Sequence, residues 1–226
     1  MQIKPIARIR SGFPEKFGIP RQSGLIDTQS MIVFEEEYRN ADALRGLDGY
    51  SHLWLIWGFS LNEKKSWSPT VRPPRLGGNK RVGVFATRSP FRPNGLGLSC
   101  VKLEKIESNA EGKILVVSGA DITDGTPIYD IKPYLPYVDS VPEACGGFSD
   151  EHKEYFLEVE FYASIKENLS EVQLQEIKEI LSLDPRPSYQ DDKDRVYGLS
   201  FGGFEIKFKC DGIKIIVTEI LKGDKI

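Results

Sequence analysis

The sequence predicts a mainly β protein, in which an antiparallel β-barrel is followed by a small α+β domain. Apolar and polar residues alternate in short runs over the first two thirds of the chain, and clusters of glycine and proline separate these runs. The longest helical pattern in this part spans only residues 40–44. Short strands without crossover helices are typical of antiparallel barrels rather than of parallel doubly wound sheets.

Five segments in the first part of the chain show the alternation of half-buried strands. They are residues 6–9, 52–57, 82–86, 101–106 and 114–118. The chain has 226 residues, which is long enough to bury a substantial apolar core between such strands. We therefore expect these segments to form the barrel.

A change of pattern between residues 141 and 150 predicts a domain boundary. Pro142, Gly146 and Gly147 interrupt the alternation there. We expect a barrel domain at residues 1–145 and a small α+β domain at residues 150–226.

The second domain contains the clearest helix signal in the chain. Ser170 and Gln173 form a capping-box pattern, after which apolar residues recur at spacings of three and four. Residues 157–161 and 204–208 alternate as strands do, and an Asp-Gly turn at residues 211–212 leads back into an apolar segment. This order of elements predicts a small α+β unit.

Composition indicates a protein of the reducing cytoplasm. No apolar run approaches the roughly 20 residues that cross a bilayer, and residues 1–5 lack an apolar signal segment. Cys100, Cys145 and Cys210 are odd in number and far apart, so we expect no disulfide. With two histidines and no Cys-x-x-Cys pair, no metal is expected, although a carboxylate site for magnesium stays open.

The charges are segregated along the chain. The net charge is −3, yet residues 64–102 hold nine Lys and Arg residues and no Asp or Glu. Such a run is often only a solvated face. Here Trp67, Phe85, Phe91 and several prolines are interleaved with it, which favours an anionic partner with flat rings.

The densest motif runs from residue 83 to residue 99. Two prolines stiffen the chain around Arg88 and Arg92, and Gly95 and Gly97 permit close approach of the backbone. The glycines do not follow the G-x-G-x-x-G spacing and no helical pattern follows them, which excludes a dinucleotide-binding loop. The segment is either a ligand-binding loop or a well-packed turn with two surface arginines.

A second motif places Asp121 and Asp124 three residues apart at a glycine turn. Paired carboxylates can balance a cation, accept hydrogen bonds from ribose hydroxyls or take up a proton. An Asx turn without any ligand is the alternative. Upstream, residues 15–24 form a polar loop in which Gln22 has both a donor and an acceptor for a base edge. We expect a structural role for His52, because no serine and aspartate are spaced to complete a triad.

Taken together, these segments resemble the TrmO/TsaA-like family of methyltransferases, which act on N6 of threonylcarbamoyl-adenosine next to the tRNA anticodon. The resemblance covers nearly the whole chain. Residues 83–94 carry it most specifically, supported by residues 15–24, 71–78, 121–136 and the Asp-Pro-Arg-Pro-Ser-Tyr segment at 184–189.

The resemblance implies that the barrel is the catalytic domain, that the methyl donor is S-adenosylmethionine and that the protein is a homodimer. It also implies a donor site built from two loops, the intervening strands and the aspartate turn. Its residues are Gln22, Ser23, Gly24, Phe59, Ser60, Arg88, Leu98, Asp121, Ile122, Thr123 and Asp124.

Methyl transfer from a sulfonium needs alignment and exclusion of water rather than a metal. An aromatic face such as Phe59 or Phe85 would meet the positive charge. The N6 nitrogen attacks poorly until it loses its proton, so we expect a general base, with Asp121 or Asp124 as candidates. Arg88 or Arg92 would face a carboxylate of the donor or of the substrate, and Arg92 is counted with the catalytic residues.

The tRNA backbone is expected to contact basic residues on both sides of the arginine loop and one in the second domain: Arg72, Arg75, Lys80, Arg81 and Arg186. Two alternatives stay open. One is a methyltransferase of the same fold that acts on a different small molecule. The other is a noncatalytic RNA-binding module, which would bind no S-adenosylmethionine.

Overall fold

A computed structural model of the chain describes residues 2–61, 67–73, 76, 80–150, 156–166, 169–186 and 192–223. The arrangement is mainly β, as predicted. It contains one sheet closed into a barrel, a four-stranded sheet and a two-stranded ribbon.

Eight strands lie in the first part of the chain. They are β1 (Ala7–Arg10), β2 (Gln29–Phe34), β3 (His52–Gly58), β4 (Thr70–Val71), β5 (Val82–Gly83), β6 (Leu96–Asn109), β7 (Gly112–Ser118) and β8 (Pro127–Pro133). Six of them close in the order β1-β2-β7-β6-β3-β8, and every pairing is antiparallel. β4 and β5 pair with each other outside the barrel.

The barrel core follows from the two-residue period of its strands. Ile9 of β1, Ile32 of β2, Leu53 and Leu55 of β3 and Leu115 of β7 are fully buried. Their neighbours in sequence point away from the core because successive side chains of a strand leave opposite faces. Burial of these large aliphatic side chains supplies the main driving force for barrel closure.

Helix α1 (Pro136–Asp139) follows β8 and is connected to the barrel, since the Trp54 indole N–H donates to Asp139 Oδ2 at 3.0 Å. The second unit contains strand β9 (Glu158–Phe161), helices α2 (Ala163–Lys166) and α3 (Glu171–Ser182), and strands β10 (Tyr197–Phe201), β11 (Phe204–Cys210) and β12 (Lys214–Lys222). The sheet order is β10-β11-β12-β9, with β9 parallel to β12. The predicted capping box at Ser170 and Gln173 is confirmed, and Ile177, Ile180 and Leu181 bury the inner face of α3.

The loop at residues 11–26 belongs to the barrel by sequence but packs into the core of the second unit. The Phe13 ring lies 5.0 Å from the Phe201 ring, centroid to centroid. A Cβ at Gly12 would lie 2.5 Å from the Phe201 ring. Since no real Cβ makes such a contact, the glycine allows the loop to lie directly on strand β10. The second unit therefore holds this loop in place.

Several element predictions require correction. The strand predicted at residues 82–86 ends at Gly83, and Val84–Ala86 form a 3-10 turn in which Val84 is buried. The helical pattern near residue 40 is a 3-10 turn at Ala41–Leu44, and two others lie at Glu36–Tyr38 and Leu47–Gly49. The sequence pattern did not reveal β2, β8 or β10. In the described part of the chain, no helix is long and apolar enough to span a membrane.

Candidate functional site

A cavity of about 410 Å³ opens where β3 and β6 meet the loops at residues 20–22 and 87–92. Aromatic and aliphatic side chains share the lining with three arginines and one carboxylate. Its lining is Pro20, Arg21, Gln22, Trp54, Trp57, Phe59, Thr87, Arg88, Arg92, Leu96, Gly97, Leu98 and Asp121. The volume lies within the range of about 300–1,000 Å³ of small-molecule sites.

Pairing of β3 with β6 shapes the apolar wall. Trp57 stands opposite Gly97 in the register. A Cβ at position 97 would lie 2.3 Å from the Trp57 ring, so only glycine allows the indole to lie across β6. Phe59 meets Trp57 edge to face, with ring centroids 4.4 Å apart. The cavity therefore has a rigid aromatic side.

A chain of hydrogen bonds connects this aromatic side to Asp121. The Trp57 indole N–H donates to Ser99 Oγ at 2.9 Å, and the Ser99 hydroxyl donates to Asp121 Oδ1 at 2.5 Å. The first of these hydrogen bonds is buried and the second is partly buried. Together they fix the carboxylate of Asp121, which lines the cavity.

Burial raises the pKa of Asp121 above its ordinary value. The Ser99 hydroxyl, the Ser23 amide and the nearby positive charge of Arg88 act in the opposite direction, because each favours the ionised form. The net upward shift moves this carboxyl towards the range in which a group exchanges protons near neutral pH.

Arg88 is held by a neutral partner. Its Nη1 donates to Gln22 Oε1 at 2.5 Å, and the side chain is otherwise exposed. Among the described ion pairs, none joins Arg88 to Asp121. The predicted proximity of Gln22, Arg88 and Asp121 is thus found, and both charges stay available at the cavity.

Arg92 is fixed by backbone carbonyls of its own loop. Its Nη1 donates to Thr87 O at 2.6 Å and to Val84 O at 3.4 Å. Its guanidinium carbon lies 5.7 Å from the centre of the exposed Phe85 ring. Arg92 therefore closes one side of the cavity, whereas Phe85, which was considered for the aromatic face, lies outside it.

The two carboxylates of the aspartate turn are separated. Asp124 Oδ1 accepts from the Ser11 amide at 2.9 Å, and Asp124 lines a different cavity, near β10 and β11. Ile122 is buried in the barrel core, and the Thr123 hydroxyl contacts the Thr126 hydroxyl at 2.9 Å. The structure therefore does not support catalytic or donor-binding roles for the side chains of Ile122, Thr123 and Asp124.

The other predicted donor residues lie at or beside the cavity. Leu98 lines it and is exposed. Ser23 Oγ accepts from the Cys100 amide at 3.1 Å, which ties the loop to β6. Gly24, with φ +77°, donates its amide to Gly119 O at 2.9 Å and forms part of the loop backbone. Ser60 lines a neighbouring cavity that shares Phe59 and Leu96 with this one.

The predicted tRNA contacts have different environments. Arg72, Lys80 and Arg81 are exposed, and Arg81 Nη1 donates to Thr70 Oγ1 at 3.1 Å. Arg75 lies outside the described residues. Arg186 is only 7% exposed and pairs with Asp184. The structure therefore does not support the predicted tRNA contact of Arg186.

Trp57, Ser99 and Trp54 were not predicted as site residues. Trp57 and Trp54 stand in the apolar alternation of β3, where an aromatic residue indicates core packing in most cases. Ser99 offered a weak signal, because it is a hydroxyl residue within the apolar first half of β6, at residues 96–101, and it is fully buried. Such a buried donor needs a partner, but the sequence did not identify Asp121 as that partner.

Comparisons with known proteins are consistent with the division into two sheets. A family described as the tRNA-methyltransferase O N-terminal domain matches residues 8–140, and the TrmO C-terminal domain matches residues 154–223. The tRNA (adenine(37)-N6)-methyltransferase of Escherichia coli (strain K12) is 39% identical over 229 residues, covering 96% of this chain and 97% of that protein.

Two further proteins extend the comparison. A probable S-adenosyl-L-methionine-binding protein of Methanothermobacter thermautotrophicus is 36% identical over 141 residues, covering 62% of this chain and 95% of that protein. The crystal structure of TrmO from Pseudomonas aeruginosa superimposes with a TM-score of 0.78 at 31% identity, covering 98% of each chain.

Proposed function

The chain belongs to the tRNA-methyltransferase O family, and from this premise we propose that it transfers a methyl group from S-adenosylmethionine to N6 of adenosine 37 in tRNA. The relatives' names supply the reaction and the nucleotide. The observation that carries the proposal is the cavity itself, which is lined by a carboxylate, three arginines and several aromatic rings.

The cavity suits S-adenosylmethionine, which supplies an activated methyl group on a sulfonium when bound. Trp57 and Phe59 offer apolar ring faces, and Asp121 offers a negative charge for a bound cation. Arg88 offers a planar donor edge for a carboxylate, with Gln22 holding the guanidinium in place. The two aromatic rings, Asp121 and Arg88 thus complement the adenine ring, the sulfonium and the carboxylate of S-adenosylmethionine, respectively.

Asp121 is proposed as the general base that takes the proton from N6. It must be ionised to do so, and the Ser99 hydroxyl and the Ser23 amide stabilise that form. The Trp57 indole orients the Ser99 hydroxyl by donating to its oxygen. Asp121 accepts the proton while Ser99 and Trp57 keep the carboxylate in position.

We propose threonylcarbamoyl-adenosine as the substrate nucleotide. Methyl donor and threonylcarbamoyl group each carry a carboxylate, and three arginines line the cavity: Arg21, Arg88 and Arg92. Arg21 donates to the Asp184 backbone carbonyl at 3.3 Å, so we assign the two carboxylates to Arg88 and Arg92. Arg92 has little freedom because two backbone carbonyls hold it, so its role would be to present a fixed charge.

The test is methylation of tRNA by the purified protein with isotope-labelled S-adenosylmethionine, followed by mass spectrometry of the nucleosides. We expect label only in the N6-methylated nucleoside from position 37. If tRNA lacking the threonylcarbamoyl group were labelled equally well, the proposed substrate would be wrong although the reaction would stand. Absence of any S-adenosylmethionine binding in calorimetry would instead favour a noncatalytic RNA-binding module.

Asp124→Asn is a matched control for Asp121→Asn in this assay. Both residues belong to the same turn, and asparagine can still accept the Ser11 amide at position 124. We expect the Asp121 variant to lose methylation and the Asp124 variant to keep it. The reverse result would make Asp124 the base.

Three further predictions stay proposals. We propose a division of the chain into domains at residues 1–145 and 150–226, a homodimeric assembly and a cytoplasmic location. Limited proteolysis between residues 141 and 150, sedimentation analysis and cell fractionation test them in turn.

A further inference from the structure

Two aromatic rings stack at the protein surface outside the cavity. The ring centroids of Trp67 and Phe85 lie 6.4 Å apart with an angle of 23° between the planes. Trp67 is 51% exposed and Phe85 is 70% exposed. Single exposed apolar residues are common, but a stacked pair of large rings that the described chain leaves open is typical of a binding surface.

The ribbon of β4 and β5 brings the two rings together. Thr70 pairs with Gly83 and Val71 pairs with Val82. Trp67 precedes β4 and Phe85 follows β5, so antiparallel pairing places them at the same end of the ribbon. Val84 is buried beside Phe85 and anchors the 3-10 turn that carries the ring. The pair is therefore a product of the fold rather than of two unrelated surface side chains.

Arg92 connects the aromatic pair to the cavity. Its guanidinium carbon lies 5.7 Å from the Phe85 ring centre, and its side chain also lines the cavity. Arg92, Phe85 and Trp67 thus form a continuous array that leads from the cavity to the surface. A molecule that reaches into the cavity and extends along this array would pass over both rings.

The surroundings of the pair are basic. Residues 64–102 contain no Asp or Glu, and Arg72, Lys80 and Arg81 are exposed on or beside the ribbon. Flat rings within a positive surface match a polyanion with unpaired bases. A second copy of this chain related by a twofold axis would bring the same basic surface against itself, which is unfavourable.

We propose that Trp67 and Phe85 form a stacking platform for an unpaired base of the tRNA anticodon loop beside the methylated adenosine. The proposal rests on the proposed function and adds a binding element that lies outside the methyl-transfer cavity. Aromatic side chains bind single-stranded bases by stacking on them, largely without regard to sequence. The platform orients the loop, while Arg72, Lys80 and Arg81 contact phosphates.

The test measures binding of an anticodon stem-loop by fluorescence anisotropy, together with the KM for tRNA. We expect Phe85→Ala and Trp67→Ala each to weaken stem-loop binding about tenfold, and the double variant to weaken it further. Phe85→Trp should retain binding, whereas Phe85→Leu, which is apolar but has no ring, should not. Tyr162→Ala is the control, because Tyr162 is 55% exposed and directly follows β9 in the four-stranded sheet of the second unit.

The salt dependence separates stacking from charge. Because a ring releases no counterions, the aromatic variants should keep the wild-type slope of log affinity against log salt, whereas Arg81→Ala should reduce that slope by about one. Calorimetry with S-adenosylmethionine alone should give wild-type affinity for Phe85→Leu and Trp67→Ala.

Wild-type stem-loop affinity in the double variant would overturn the proposal. Dissociation of a dimer into monomers in the double variant would also overturn it, because the rings would then belong to a subunit interface. Failure of the wild-type protein to methylate tRNA would instead contradict the proposed function, and the two failures are distinguishable.

Discussion

Two of the Asp–Arg combinations in the described part of the chain are arranged in opposite ways. In the second unit, Arg186 Nε lies 2.8 Å from Asp184 Oδ1 and its Nη2 lies 3.0 Å from Asp184 Oδ2, with both side chains 7% exposed. At the barrel cavity, Asp121 is held by Ser99 and Arg88 is held by Gln22. Asp184 and Arg186 are paired with each other, whereas Asp121 and Arg88 are each held by a neutral partner.

The difference shows how a fold separates structural charge from functional charge. A two-point ion pair uses both oxygens and two N–H groups, so little remains for a ligand. A hydroxyl or an amide oxygen fixes a charged group without neutralising it. The carboxylate and the guanidinium at the cavity are therefore oriented without being paired with each other, as the proposed binding and proton-transfer roles require.

Replacement of Asp121 is expected to have the largest effect on activity among the variants of these residues. We expect Asp121→Asn to lower kcat about 10²- to 10⁴-fold, the usual contribution of a general base. Unfolding in urea should show little loss of stability, because the change removes a carboxylate whose burial raises its pKa. A stability loss that accounts for the lost activity would make Asp121 structural.

Replacement of Asp184 is expected to lower the free energy of unfolding rather than the activity of the folded protein. Asp184→Asn leaves the buried Arg186 guanidinium without its counter-charge, and we expect a loss of about 3–5 kcal/mol in the free energy of unfolding. Asparagine tolerates the left-handed backbone at this position, where φ is 49°, so backbone strain does not confuse the result. Wild-type stability in urea would contradict the assignment.

Replacement of Arg88 by lysine keeps the positive charge and removes the planar donor edge, so it tests whether this edge binds a carboxylate. We expect Arg88→Lys to lower kcat/KM about 10- to 100-fold. The substrate whose KM rises, S-adenosylmethionine or tRNA, identifies the carboxylate that Arg88 faces. Arg45→Lys is a control at an exposed ion pair, and equal activity of Arg88→Lys and wild type would remove Arg88 from the site.

The smallest expected effect concerns Ser99. Its hydroxyl donates to the charged form of Asp121 and so lowers the pKa of that carboxyl against the effect of burial. Ser99→Ala should raise this pKa further. Because only the ionised base works, the acidic limb of the kcat profile should move to higher pH, while activity at alkaline pH should change little.

Ser118→Ala is the matched control for Ser99→Ala. Ser118 is also buried and its hydroxyl donates to a carboxylate, Glu104 Oε1, at 2.7 Å, but it does not line the cavity. We expect this variant to keep the wild-type pH profile. An unshifted profile in Ser99→Ala would show that Ser99 does not act through Asp121.

Elements with strong local signals could be predicted from the sequence. The capping box at Ser170 marks the start of α3 at Glu171, and strand β3 is predicted by its run of large apolar residues. Strands β2 and β8 were missed because their burial patterns, with several consecutive buried residues, depart from strict alternation. Their pairing partners lie far away in sequence. Their strand conformation is therefore stabilised by pairing within the barrel, which a local sequence pattern does not reveal.

The candidate site was predicted in part. Gln22, Arg88 and Asp121 come from three separate motifs, and the structure brings them to one cavity. Asp124 stands three residues from Asp121, yet the turn directs it to the Ser11 amide. Distance along the chain cannot distinguish these two carboxylates, because the turn geometry depends on the strands that flank it.

The sequence by itself determined the mainly β composition, the helix cap and the basic segment at residues 64–102, since each depends on neighbouring residues or on residue type. Only the tertiary structure decided which charged side chains are paired with each other and which remain available to a ligand. Arg186 and Arg88 look alike in sequence, but one is buried against a carboxylate and the other is exposed beside an amide. Asp184 and Arg186 are only two residues apart, but their burial depends on contacts with distant segments, and Arg88 meets Gln22 from a distant loop. These long-range contacts determine the free energy of the charged form of each side chain.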